Sequence, residues 1–224
     1  MSQAKKQAYF VTGTDTGVGK TFISSLLVRQ FARRGLRSVG MKPVASGCER
    51  VDGRLVSEDA AQLLAASNVE LSIDDINPYA FEPAIAPHIA AQQAGMRIDL
   101  DHIQTVFKRL QAQVDVVIVE GAGGFYVPLD EQHDMADLAV KLGFPVILVV
   151  GMRLGCINHA LLTAEAIRQR GLTLAGWVAN QVDPGMAMLE ENLQTLRQRM
   201  PASYLGWVPW QTATDTLNVV ELII

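Results

Sequence analysis

At 224 residues with a formal net charge of −4, the chain is long enough for one domain with a sizeable core, and its charge has the wrong sign for a protein whose main partner is nucleic acid or an anionic membrane. Cys48 and Cys156 are far apart in no metal-ligand spacing, which argues against a disulfide framework. The polar start, residues 1–7, has no apolar core or cleavage pattern, and the longest apolar run, 144–152, is too short to span a bilayer, so a cytoplasmic protein is expected.

Short β-rich runs alternate with helical patterns throughout, the order produced by βαβ units around a parallel sheet. Strands are predicted at 8–12, 38–42, 115–120, 146–151, 173–180 and 203–209. Several are continuous apolar runs, as expected where helices cover both faces of a sheet. Helices are predicted at 22–34, 57–66, 87–94, 100–113, 134–142, 158–170 and 186–199, with Gly35 and Gly171 placed to end two of them. Two connections, 43–56 and 68–87, are longer and richer in functional residue types than connections usually are. The tail, 215–224, is apolar and fits a short helix or an edge strand equally. One α/β domain over residues 1–224 is the expectation.

The first strand leads into Gly13-Thr14-Asp15-Thr16-Gly17-Val18-Gly19-Lys20-Thr21 and then an amphipathic helix. Strand, glycine-rich turn, Lys-Thr and helix is the layout of a phosphate-binding P-loop. Glycines let backbone N–H groups curl around phosphate oxygens, and the helix N-terminus adds partial positive charge. Lys20 would reach the β- and γ-phosphates and the Thr21 hydroxyl would ligate an accompanying Mg²⁺. The first glycine stands one position earlier, at Gly13, than the strict G-x-x-x-x-G-K-[ST] pattern requires. The fold expected is therefore a P-loop NTPase-like three-layer α/β fold with a mainly parallel sheet.

Ligands of open α/β sheets sit beyond the carboxyl ends of the strands, so site chemistry is expected at the strand ends. Pro43 ends the second strand at Lys42, whose ammonium is either a clamp for a γ-phosphate or an anionic intermediate, or a solvated strand-end charge. Ser46 follows beside Gly47. Ser57, Glu58 and Asp59 read as an N-cap and first-turn acids, and on spacing alone capping outweighs Mg²⁺ ligation by Asp59. The third strand ends in Glu120 and the run Gly121-Ala122-Gly123-Gly124, a Walker B-like acid followed by a backbone that a phosphate can approach closely. The fourth leads into Gly155-Cys156-Ile157-Asn158, a second glycine turn opening a helix and so a second anion site. There Asn158 reads as an N-cap and Cys156 as a small packing residue. His88 and His159 read as structural. Asn180, at the fifth strand end, has the donor–acceptor pair that suits an adenine edge, and Pro209-Trp210 offers an apolar turn on which a purine could lie.

This set resembles the dethiobiotin synthetase family. The matching stretches are GTDTGVGKT at 13–21, KPVASG at 42–47, Asp59 in SEDAAQL, NPYAF at 77–81, PHIA at 87–90, VEGAGG at 119–124, VILVVGMRLGCINHA at 146–160, GWVAN at 176–180 and GWVPW at 206–210. They run in family order over nearly the whole chain. The resemblance implies an ATP- and Mg²⁺-dependent cyclo-ligase that forms dethiobiotin from 7,8-diaminononanoate and CO2 or bicarbonate. It proceeds through a carbamate and a carbamic–phosphoric anhydride and releases ADP and phosphate, in a cytoplasmic homodimer. It implies Lys20 and Lys42 as the catalytic charges and Thr21, Asp59 and Glu120 as Mg²⁺ ligands. ATP would lie against Gly17, Val18, Gly19, Lys20, Thr21, Phe22, Asp59, Glu120, Gly121, Ala122, Gly123, Asn180, Gln181, Pro209, Trp210 and Gln211. Thr16 and Ser46 would touch the diamine or its carbamate. Gly155, Cys156, Ile157 and Asn158 would receive the substrate's distal carboxylate across the dimer interface. Gln181 departs from the family's frequent Asp, and the segment after Trp210 is short and lacks a Glu often found near the adenine.

Two rival readings share parts of the pattern. Amide-forming ligases of the cobyrinate type carry an added glutaminase domain with a catalytic Cys, for which this chain has no room. Partition-type switch ATPases carry a lysine early in the P-loop, where Asp15 stands here.

Overall fold

The computed structural model describes residues 6–210. The first half of the chain carries β1 (Gln7–Gly13), α1 (Lys20–Arg33), β2 (Ser38–Met41), β3 (Val44–Ser46), β4 (Glu49–Val51) and β5 (Arg54–Val56). It continues with α2 (Glu58–Ala66), α3 (Ile73–Ile76), β6 (Tyr79–Phe81), α4 (Pro87–Gln93) and α5 (Leu100–Gln113). The second half carries β7 (Val116–Gly124), α6 (Met135–Leu142), β8 (Val146–Met152), α7 (Cys156–Gln169), β9 (Leu174–Gln181), α8 (Leu189–Arg199) and β10 (Tyr204–Val208).

All six predicted strands are present and pair in parallel into one sheet, ordered β10-β9-β8-β1-β7-β2. β2 and β8 are buried at every position, as a strand covered on both faces must be. Along β1, β7 and β8 successive side chains go to opposite layers, because strand side chains alternate. Val11, Val116, Ile118, Ile147 and Val149 pack under α1 with Ile23, Leu27 and Phe31. Phe10, Val117 and Val119 pack on the other side with Ile103 and Phe107 of α5 and Leu138 of α6. Leu148 and Val150 meet Cys156, Ala160 and Ala164 of α7 on that side too. The layers are helix, sheet, helix. Among the described residues no helix is long and apolar enough to cross a membrane.

β1 lies between β7 and β8, so the chain leaves it toward β2 in one direction and later crosses behind it from β7 to β8. That reversal opens a crevice above the carboxyl end of β1, where α/β sheets take ligands.

Several boundaries differ from the sequence reading. β7 does not stop at Glu120 but runs through the glycines to Gly124, which pairs with Gly13 across an irregularity in β1. α7 starts at Cys156 with Gly155 (φ 93°) in the cap position, so Asn158 lies inside the first turn and is not the N-cap. The two long connections hold short strands: β4 and β5 pair antiparallel within the first, and β3 of the first pairs in parallel with β6 of the second. The β4–β5 turn is Asp52-Gly53, both at positive φ, a hairpin signal present in the sequence. Residues 211–224, including the predicted tail element, lie outside the described residues.

Candidate active site

The P-loop is fastened to the strand end beside it. Thr14 N–H donates to the Val149 carbonyl (3.0 Å), and Gly151 N–H donates to Thr14 Oγ1 (3.4 Å). The loop turns through Gly17 (φ 72°) and Gly19 (φ 83°), conformations that L side chains resist. At Gly19 the demand is double, because a Cβ there would fall 2.2 Å from Asn180 Nδ2. That amide donates to the Val18 carbonyl at 2.9 Å and so braces the loop from β9. The first helical N–H groups, of Lys20, Thr21 and Phe22, have no intrahelical acceptor and remain for a ligand. The Val18 side chain is buried in the layer under α1, so this residue has only backbone to offer, while the Phe22 ring packs half-buried against that layer.

Four side chains from four elements converge beyond the loop. Lys42 Nζ donates to Glu120 Oε1 (2.6 Å) and to Asp59 Oδ2 (2.8 Å), and approaches the Gly121 carbonyl (3.3 Å). Thr21 Oγ1 donates to the same Glu120 oxygen at 2.9 Å. Lys42 is only 3% exposed and Glu120 not at all, so Lys42 is not a solvated strand-end charge. Burial is the largest influence on Lys42 and pushes its pKa down, but the two carboxylates outweigh it and the net shift is upward. Burial likewise pushes Asp59 up, and the Lys42 ammonium, by its charge and its hydrogen bond, more than reverses it. The capping role that spacing favoured for Asp59 belongs to Ser57, whose hydroxyl accepts from Ala60 N–H. Asp59 faces the site instead.

Lys20 sits differently. Its Nζ donates to the Asp15 carbonyl at 3.0 Å, and burial, reinforced by the Lys42 charge, lowers its pKa from 10.5 to about 8. An ammonium so poorly compensated is ready for an anion. Glu120 Oε2 is buried without a hydrogen-bond partner. Together with the Thr21 hydroxyl and Asp59 it makes an all-oxygen donor set, suited to a hard cation that keeps its remaining places for water and phosphate oxygens. Among the described residues no group of three or more His, Cys, Asp or Glu is placed to enclose a metal. A few protein oxygens shared with phosphate is the Mg²⁺ pattern, so the residues present fit that ion.

These groups open into a cavity of about 780 Å³. It brings together the predicted Thr16, Gly17, Gly19, Lys20, Thr21, Lys42, Ser46, Asp59, Glu120, Ala122 and Gly123. Ser46 Oγ is buried there without a partner. Sequence reading missed the apolar wall formed by Ala45, Ala84, Ile85, Ala86, Pro87 and Val127. Its only signal was the proline that opens α4, at the end of a long connection.

Two predicted groups lie off this cavity. Asn180, Gln181, Pro209 and Trp210 gather at the ends of β9 and β10 on the far side of the loop. Gln181 Oε1 accepts from Trp210 N–H (3.1 Å) while its Nε2 donates to the Asp183 carbonyl (3.3 Å), so both ends of that amide are engaged. Gln211 lies outside the described residues. Gly155, Cys156, Ile157 and Asn158 form the start of α7 and do not line the cavity. The Cys156 side chain is buried, and burial raises its thiol pKa, which leaves packing as its role.

Residues 7–217 match a family described as an AAA domain. The chain is 54% identical over 213 residues to the ATP-dependent dethiobiotin synthetase BioD of Aromatoleum aromaticum, covering 95% of each chain. It is 51% identical over 217 residues to the enzyme of the same name from Nitrosospira multiformis, covering 97% of this chain and 94% of that one. Among solved structures it resembles a ParA family ATPase from Chlorobium tepidum, with TM-score 0.56, 15% identity, and coverage of 93% and 86%. It also resembles the MinC:MinD cell division complex of Aquifex aeolicus, with TM-score 0.55, 13% identity, and coverage of 92% and 82%. At such identities the structural likenesses establish a shared P-loop fold and no more. The sequence likenesses, over nearly whole chains and at half of all positions, establish more: the chain belongs to the ATP-dependent dethiobiotin synthetase family.

Proposed function

We propose that this single-domain protein closes the ureido ring of dethiobiotin from 7,8-diaminononanoate, CO2 and ATP. The observation that carries the reading is the convergence of Lys42, Asp59, Glu120 and Thr21 at the head of a cavity that begins at the P-loop. One amine of the substrate takes up CO2 as a carbamate and loses a proton. A carbamate oxygen then attacks the γ-phosphorus, the bond to the β–γ bridging oxygen breaks, and ADP leaves. The second amine attacks the carbamoyl carbon of the mixed anhydride, loses its proton, and phosphate departs as the ring closes.

No step needs an enzyme nucleophile, so the protein's task is positioning and charge compensation. Lys20 exchanges the Asp15 carbonyl for phosphate oxygens, and Lys42 faces the carbamate and the transferring phosphoryl group. Thr21, Asp59 and Oε2 of Glu120 would hold Mg²⁺, which would supply neutralising charge for the triphosphate. Thr16 and Ser46 hold the diamine or its carbamate, with the Ser46 hydroxyl free to do so. Asn180 and the Pro209–Trp210 turn take the adenine. The start of α7 lies off its own chain's cavity, which supports a homodimer in which Gly155–Asn158 of a second copy receives the substrate carboxylate. Two buried, unpaired cysteines fit a reducing compartment such as the cytoplasm.

With the diamine, bicarbonate and Mg²⁺, the purified protein should release phosphate from ATP in step with dethiobiotin. Phosphate release that ignores the diamine would remove the assignment, and a monomer in sedimentation at assay concentrations would remove the shared site.

A further inference from the structure

Arg153 lies outside the ring of residues that line the cavity. It stands in the turn between β8 and α7, and its Nη2 forms an ion pair of 2.5 Å with Asp15 Oδ2 of the P-loop, 138 positions away in the chain. Asp15 is the residue on which the resting loop converges. Its Oδ1 accepts from Thr16 N–H (2.7 Å), its Oδ2 takes Arg153, and its carbonyl holds Lys20 Nζ (3.0 Å). Its carboxylate also acts on Lys20 through space. A carboxylate in that place is a rival to a triphosphate for the Lys20 ammonium, and it repels the phosphates as they arrive.

We propose that Arg153 is a positioning residue that neutralises Asp15 and turns its carboxylate away from Lys20, so that the phosphate seat of the P-loop stays open. Arg153 does not line the cavity. It acts through Asp15, whose carboxylate serves the loop by fixing Thr16 N–H and is tolerable there only while a cation holds its other oxygen. The same pair joins the loop to the turn that opens α7, since the Arg153 carbonyl accepts from Cys156 N–H at 3.0 Å. The inference rests on reading the loop as the ATP site, and it is independent of the diamine chemistry.

The test is equilibrium binding of ATP with Mg²⁺, measured by titration calorimetry on the full chain. In Arg153→Gln the freed carboxylate should weaken ATP binding roughly tenfold, the scale of one uncompensated charge near the site in a partly wet setting. Arg153→Lys should stay within about threefold of the parent, because a cation still faces Asp15. The deciding variant is the double Asp15→Asn, Arg153→Gln, which should recover most of the loss because the rival charge is gone. A purely structural role would leave the double variant as weak as Arg153→Gln, and that result, or an unchanged Arg153→Gln, would overturn the proposal. Both side chains are about half exposed, so the variants should fold. Asp15→Asn alone provides a second check, since a tenfold loss there would also overturn it. If the parent chain bound no ATP, the proposed function itself would fail.

Discussion

Lys42→Ala is expected to lower kcat by about 10²- to 10³-fold at saturating ATP, the range for removing one preorganised charge aimed at a reacting group. It should leave ADP affinity little changed. The division follows from where the side chain sits: it reaches Glu120 and Asp59 beyond the P-loop, not the loop amides. The same substitution strips its partner from Glu120, which is wholly buried. Breaking such a pair typically costs roughly 3–5 kcal/mol, because the carboxylate left behind must be desolvated alone or protonated. Loss of activity should therefore come with a lower melting temperature.

A divalent cation separates the two effects. With the ammonium gone, Glu120 and Asp59 share one nearby cation, Lys20, beside the Thr21 hydroxyl, and Mg²⁺ can take the vacated charge. Added Mg²⁺ should raise the melting temperature of Lys42→Ala more than that of the parent, while kcat stays low. Full kcat in this variant at saturating ATP would remove the role given to Lys42. An equal Mg²⁺ response in both proteins would argue against Glu120 and Asp59 as the cation's ligands.

The sheet was legible because its strands are short, apolar and buried on both sides, a pattern that no amphipathic helix produces. What surrounds the sheet was less so. β3 and β6 are three residues each, too short for a period to show, and they pair with one another across more than thirty intervening positions. The predicted strand ends at Glu120, before the run Gly121 to Gly124, yet Gly124 is held in β7 by pairing with Gly13, a contact no local rule contains. The β4–β5 hairpin was the avoidable miss, since Asp52-Gly53 announces it. Within the site, the P-loop and the acid of β7 could be read from local pattern. The burial of Lys42 could not, because it depends on carboxylates 17 and 78 positions further on arriving at one ammonium. Arg153 was invisible for the same reason: its meaning is its distance from Asp15.

Lys20→Met should stabilise the ligand-free protein while weakening ATP binding at least a hundredfold. A lysine held near pKa 8 in the folded chain, against 10.5 when unfolded, costs roughly 3 kcal/mol of stability at neutral pH. Losing its hydrogen bond to Asp15 offsets about 1 kcal/mol of that gain. A net gain of about 2 kcal/mol corresponds to a rise of roughly 4–8 °C in melting temperature for a chain of this size. The pH dependence identifies the cause. The folded pKa is the lower one, so between pH 8 and 10.5 the unfolded chain holds the extra proton and parental stability climbs with pH. The advantage of Lys20→Met should be full below pH 8 and close as pH rises toward 10.5. An advantage that stayed constant with pH would point to better packing by methionine and not to a strained charge. The strain has a use: triphosphate entering the loop gives the ammonium the counter-charge it lacks, so its pKa must rise on binding. ATP affinity should accordingly fall as pH climbs above 8 in the parent protein and lose that slope in Lys20→Met. The cost of keeping Lys20 charged in the empty loop is recovered only when phosphate arrives, which makes the residue a liability for the fold and an asset for the site.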